Sequence, residues 1–247
     1  MTCNDPFVYA VRPGDTLYTI ARRYNTTPEH IESLNPHIHP HNLRIGSTLI
    51  VCAGAAAEHP ASPPANGVSP QLLELSNAMR GAWEQHVSWT RNLILSIAHS
   101  LPDEDAVTAR LLRNPGDIAA LFAPYYGEDA AKKIAELIKQ HLVIGKELIL
   151  AAKNNDPKAQ ELDAQWHSNA DDLAAYLSGL NPHYDYDALK EMLYAHLALT
   201  NTEVAERLAG HYPADIAAYD QIEREALRMA DAFVSGIAAQ FPEKFVD

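Results

Sequence analysis

The sequence predicts an α+β protein of two domains: a βααβ module at the front and, after a linker, an all-α antiparallel helical bundle. Three observations predict it. The first fifty or so residues hold two strand-like runs around two short amphipathic ones. A stretch around residue 60 is almost entirely Ala, Pro and Gly, and beyond residue 70 apolar residues recur with a helical period and no strand signal. A chain of 247 residues is long enough for two such cores.

The elements follow in order. "FVYAV" puts Phe7, Tyr9 and Val11 on one side of a short strand, and Pro13-Gly14 turns the chain. "TLYTIARRY" places Leu17, Ile20, Ala21 and Tyr24 on one helical stripe, with Asp15 or Thr16 as acceptor for its free N–H groups. "TTPEHIESLNP" starts a second helix with Thr caps and Pro28 in the first turn, and Asn35-Pro36 stops it. After Gly46, "GSTLIVC" returns as the second strand.

The stretch from Tyr9 to Val51, with its "PGDTL", "IA..Y", "NP" and "NL.IG..L" signatures, resembles a LysM domain over that domain's full length. The resemblance implies a module for N-acetylglucosamine polymers, peptidoglycan or chitin. It implies a shallow groove between Gly14, Asp15, Thr16 and Leu17 on one side and Asn42, Leu43, Arg44 and Ile45 on the other. Such a groove needs backbone hydrogen-bonding groups for the acetamido function and an apolar floor for its methyl group and the ring face. A single small groove binds weakly and relies on polymer avidity.

Antiparallel pairing of the two strands would bring Cys3 and Cys52 near each other, either as a disulfide suited to an oxidising compartment or as two reduced thiols. His37, His39 and His41 alternate in "NPHIHPHN", either as a metal- or pH-sensitive patch or as a solvated loop. The N-terminal segment shows no basic n-region with a long apolar run, so no secretory signal is expected in it.

The domains are expected at 1–53 and 70–247, with residues 54–69 as a semi-extended linker. Helices are expected at about 70–100, 104–113, 116–123, 127–154, 157–179, 187–209 and 213–241. "RLLRNPGDIAALF" and "RLAGHYPADIAAY" echo one another; Pro115 and Pro213 suit first turns, and Asp117 and Asp215 suit the positive helix end. The helical part is similar, through "QHVSWTR", "RLLRNP", "YYG" and "RLAGHYPADIAA", to proteins of spore-forming Firmicutes whose function is unassigned. That similarity implies no chemistry.

His86, His141 and His196 are spaced 55 residues apart, each near the middle of a long helix. Mid-helix positions meet at mid-height in a bundle, so two readings stand. One is a divalent transition-metal site in the bundle interior. The other is a layer of histidines hydrogen-bonded to Asn169, Glu223 or water that fixes helix register.

Charge narrows the partners. Residues 1–60 carry four Lys/Arg against five Asp/Glu, and the remainder carries 15 against 27. That acidic surface disfavours nucleic acid and anionic lipid, and no run approaches the twenty apolar residues of a membrane span. No glycine-rich phosphate loop, G-x-S-x-G or H-E-x-x-H is present. Arg110, Arg113, Tyr125 and Tyr126 either line an anion pocket or close the bundle end. The expectation is a non-catalytic protein of the cell wall or spore envelope, bound to its glycan by the first domain. The helical domain would contact another envelope protein or a second copy; the alternative is a wall-tethered metalloprotein.

Overall fold

The computed structural model describes residues 6–11, 15–36, 38, 43, 47–52 and 69–246. The chain divides into two compact units, Met1–Asn66 and Gly67–Asp247. The expected linker lies outside the described residues except for Ser69.

In the first unit, β1 (Pro6–Ala10) pairs antiparallel with β2 (Thr48–Cys52), with Pro6 opposite Cys52 and Tyr9 opposite Leu49. Between them lie α1 (Leu17–Arg23) and α2 (Pro28–Leu34). The strand alternation reads through: Tyr9, Val11, Leu49 and Val51 turn inward onto Leu17, Ile20, Ala21 and Ile31, while Val8 and Ile50 face solvent. Thr16 and Thr19 cap α1 reciprocally, each hydroxyl accepting the other's backbone N–H at 3.1 and 2.9 Å. Thr27 caps α2, accepting from His30 N at 3.2 Å. The Asn35 amide then ties that helix to the sheet: Nδ2 donates to Ile31 O and Ile50 O, and Oδ1 accepts from Ile50 N.

The second unit consists of α3 (Pro70–Ala98), α4 (Glu104–Leu111), α5 (Asn114–Ala120), α6 (Ala123–Tyr126), α7 (Glu128–Lys153), α8 (Ala159–Leu180), α9 (Tyr186–Leu208) and α10 (Tyr212–Gln240). A 3₁₀ turn at Pro242–Phe245 follows. The stretch expected as one helix at 116–123 is two, because the chain turns at Leu121-Phe122 and restarts at Pro124. The long helices pack in chain order, α7 on α8, α8 on α9 and α9 on α10, and α10 closes back on α3. Short connections make the pairs consecutive in the chain, α7–α8, α8–α9 and α9–α10, antiparallel.

Start signals are local. Ser69 accepts from Leu72 N ahead of Pro70, and Asp185 accepts from Ala188 N. One closure is long-range: the buried Tyr184 hydroxyl donates to Phe233 O at 2.7 Å, laying its ring across Gly236. A Cβ on Gly236 would stand 1.9 Å from Tyr184 Cε1, so only glycine admits the ring.

The apolar core of this unit has two parts. One runs through Met79, Trp83, Ile138, Leu193, Met229 and Phe233; the other gathers Leu93, Ile97, Leu111, Leu142, Ile149 and Val204. Between these levels, on α3, α7 and α9, stand three histidines.

Candidate functional site

Of the groove residues implied in the first unit, Gly14, Asn42, Arg44 and Ile45 lie outside the described residues. Thr16 is exposed, and Leu43 is half-buried against the core. Leu17 is not an open floor: it is 4% exposed and packs among Tyr9, Ile20 and Val51. Asp15 does not cap α1. Its carboxylate accepts from Tyr9 Oη at 2.6 Å and meets Arg23 Nη2 at 3.3 Å, while Arg23 Nη1 also donates to Tyr9 Oη at 2.5 Å. This triangle ties the end of the first loop to β1 and α1. Cys52 is buried and is not a free thiol; Cys3, and the alternating His37, His39 and His41, lie outside the described residues.

In the second unit His86, His141 and His196 converge. Their residues are 3, 6 and 4% exposed, and the His196 ring centre lies 5.8 Å from that of His86 and 6.3 Å from that of His141. Two of them are clamped identically. His86 Nδ1 meets Asn114 Oδ1 at 2.8 Å, and Asn114 Nδ2 donates to Ala82 O at 2.8 Å. His141 Nδ1 meets Asn169 Oδ1 at 3.1 Å, and Asn169 Nδ2 donates to Leu137 O at 3.1 Å. The sequence separations, 28 for imidazole to amide and 32 for amide to carbonyl, are the same in both. Because each amide spends its N–H on a carbonyl, its oxygen must accept. The imidazole therefore carries its proton on Nδ1 and its lone pair on Nε2.

The third histidine departs from this pattern. The position 55 residues after Asn169 is Arg224, exposed; inside, Glu225 Oε2 lies 3.2 Å from His196 Nδ1. The alignment is too poor for a hydrogen bond, so that Nδ1 and both Glu225 carboxylate oxygens are buried without a hydrogen-bond partner. The expected Glu223 does not reach the layer; the acidic residue that does is two positions on. The backbone is stapled beneath each ring: Thr90 and Thr200 donate to the carbonyls of His86 and His196, and Trp166 Nε1 donates to that of His141.

Burial and the charge of neighbouring His196 hold His86 down at about 4, and burial holds His141 well below the ordinary imidazole range. Both are neutral at pH 7. Among the described residues, however, no group of three or more His, Cys, Asp or Glu is arranged to hold a metal ion. The His196 ring centre stands 5.8 and 6.3 Å from the other two, farther than the roughly 5 Å that imidazoles at about 2.1 Å from one tetrahedral ion require. The hydrogen-bonded layer is the arrangement observed.

A second buried polar cluster lies beside it. Arg91 Nη1 meets Glu203 Oε1 at 2.5 Å and Asp215 Oδ1 at 2.9 Å, and Arg207 Nη2 meets Asp215 Oδ2 at 2.5 Å. Asp215 thus serves two guanidiniums, beyond its place in the first turn of α10. Burial pushes the Glu203 carboxyl up to about 7 even against the pull of Arg91. Sequence reasoning missed this cluster, since its members are ordinary charged residues scattered over 124 positions. Arg110 stacks on Trp89 and bonds Gln85, whereas Tyr126 bonds Gln240 and Asn181, so these do not form one anion pocket.

Comparison with known proteins bears on the first unit. Residues 9–51 match the LysM domain model. The chain is 41% identical over 99 residues to the N-acetylmuramoyl-L-alanine amidase XlyA of Bacillus subtilis (strain 168). That match covers 40% of this chain and 31% of the amidase, so the chain spans about a third of that relative. No solved structure matches. The family match ends before α3, and the likeness of the helical unit to proteins of spore-forming bacteria gains no support from it.

Proposed function

We propose that the first unit binds an N-acetylglucosamine polymer, peptidoglycan or a chitin-type glycan, and holds the helical unit at a cell wall or spore envelope. The observation that carries this reading is the LysM match over residues 9–51, on a βααβ unit whose two strands pair antiparallel. A relative named for action on an N-acetylmuramoyl-L-alanine linkage points to the same class of polymer. The groove would be formed by the backbone around Gly14, Asp15 and Thr16 and by Asn42 to Ile45, with Leu43 beneath and the Tyr9–Asp15–Arg23 triangle fixing the first loop. The helical unit would serve as an interaction or scaffold domain for another envelope protein or a second copy.

The test is sedimentation of the full chain with insoluble peptidoglycan and with chitin, beside the fragment 70–247. The full chain is expected in the pellet and the fragment in the supernatant; equal pelleting of both would defeat the anchoring role. A bridge between Cys3 and Cys52 belongs to the same reading and would add about 2–4 kcal/mol by closing that loop. Alkylation of denatured, unreduced protein from an oxidising compartment is expected to label neither cysteine; two labelled thiols would remove the bridge.

A further inference from the structure

The three-histidine layer has features that register-setting alone does not require. Three imidazoles sit on three different helices with apolar core above and below. A cavity of about 20 Å³, the size for a single water, is lined by all three rings. A cleft of about 220 Å³ between α7 and α9, over Trp166 and Thr200, adjoins it and gives water a route inward. Glu225 and His196 Nδ1 face each other at 3.2 Å, buried and without hydrogen-bond partners.

We propose that this layer is an acid-release element: proton uptake by His86 and His141, whose rings flank that of His196 at about 6 Å, places charge in the apolar core between α3, α7 and α9, and those helices separate. The surroundings decide the sign. From α7, Lys146 lines the same cavity, held by Glu104 and Thr108 of α4, and adds positive charge. From α5 and α8 come the neutral amides Asn114 and Asn169. From α3 and α9, Arg91 and Glu203 are committed to each other and to Asp215. From α10 only Glu225 offers a negative charge, and it answers His196 alone. With the Lys146 ammonium set against Glu104, a single carboxylate faces the three imidazoles.

The coupling makes the response steep. Charge on His196 opposes charge on the other two while the bundle is closed, as burial does. Once the helices part, His86 and His141 return to water and ionise near the ordinary imidazole value of about 6.5. Opening is thus linked to uptake of both protons. Glu203, already protonated below about 7 in the closed state, works against opening and leaves the layer as the element that drives it.

The experiment is a pH titration of the full chain, following tryptophan fluorescence and denaturant midpoint together. Trp83 and Trp166 lie 5.3 and 5.0 Å from the rings of His86 and His141, so both report on the layer. The expected result is a cooperative transition below about pH 5 in which the opening constant rises about a hundredfold or more per pH unit, the signature of two or more protons. His141→Gln lowers that slope by about tenfold per unit, while His99→Gln and His211→Gln, at exposed positions, leave it unchanged. Should His141→Gln fail to fold, histidine ring resonances of the parent supply the second measurement, those of His86 and His141 shifting together at the transition. A slope of tenfold or less in the parent, or an equal slope in His141→Gln, overturns the proposal. So does stoichiometric Zn²⁺ binding at pH 7.5 that His141→Gln abolishes, which would make the layer a ligand set.

Discussion

The helical unit buries polar groups in two neighbouring places and manages them in opposite ways. Around Asp215, burial is achieved by pairing: two arginines face two carboxyl groups, one of which, Glu203, burial holds up at about 7. In the histidine layer it is achieved by discharge at His86 and His141, each neutral and spending its single proton on an asparagine. A paired cluster fails when a partner is deleted. A discharged layer fails when a proton arrives. The two should therefore answer different perturbations.

The largest expected effect tests the paired cluster. Arg91→Met leaves Glu203 and Asp215 short of their shared counter-charge and should cost about 3–5 kcal/mol in chemical denaturation at pH 7. A loss below about 1 kcal/mol would mean that water reaches the cluster.

Next comes acid. His86 binds its proton in the unfolded chain near 6.5 and in the folded one only near 4, so the unfolded state holds more protons in that window. Stability is full above about 6.5 and falls as the pH drops toward 4, by about 3 kcal/mol for this group, with His141 adding in the same direction. Glu203 has the opposite sign: its folded carboxyl keeps a proton up to about 7 against about 4.5 unfolded, so it gains stability as the pH falls through that range. Glu203→Gln should accordingly steepen the acid loss seen in denaturation at pH 7, 6 and 5, and a flattened profile would reverse the assignment.

Asn169→Ala sharpens the contrast on a smaller scale. It strands His141 Nδ1–H and the Leu137 carbonyl without changing any charge, and a cost of about 1–3 kcal/mol, independent of pH between 7 and 9, is expected. Smallest is the surface comparison. Arg80→Ala removes a 2.6 Å bridge to Asp231 between half-exposed side chains and should move stability by at most about 1 kcal/mol, less in high salt.

How much of this was legible in the sequence follows from the range over which each feature is encoded. Helix ends were readable because Pro70, Asp185 and Pro213 act within one turn of themselves. The histidines were readable because equal spacing survives folding. Asn169 was readable from its stripe, but Asn114 was not, although it stands 28 residues after His86 as Asn169 does after His141. It opens a short helix where no periodicity draws the eye. Glu223 was the acidic residue expected at the layer, and Glu225, two positions on and nearly on the opposite side of the helix, is the one that faces His196. The Arg91 cluster left no local trace, and Leu17, drawn into the groove by its motif, proved to be core because its inward phase on α1 decides its place.

Tyr184 adds a timetable. Its hydroxyl finds its acceptor at Phe233 and its ring finds its bed at Gly236, so the helical unit cannot latch until nearly the whole chain has been made. The first unit closes as soon as Cys52 meets Pro6. At about 5–20 residues per second of synthesis, roughly 10–40 seconds separate the two events. During that interval a finished front module trails a bundle whose tyrosine latch is open. A chain halted before Phe233 would carry a competent first unit on helices that have nothing to lock against.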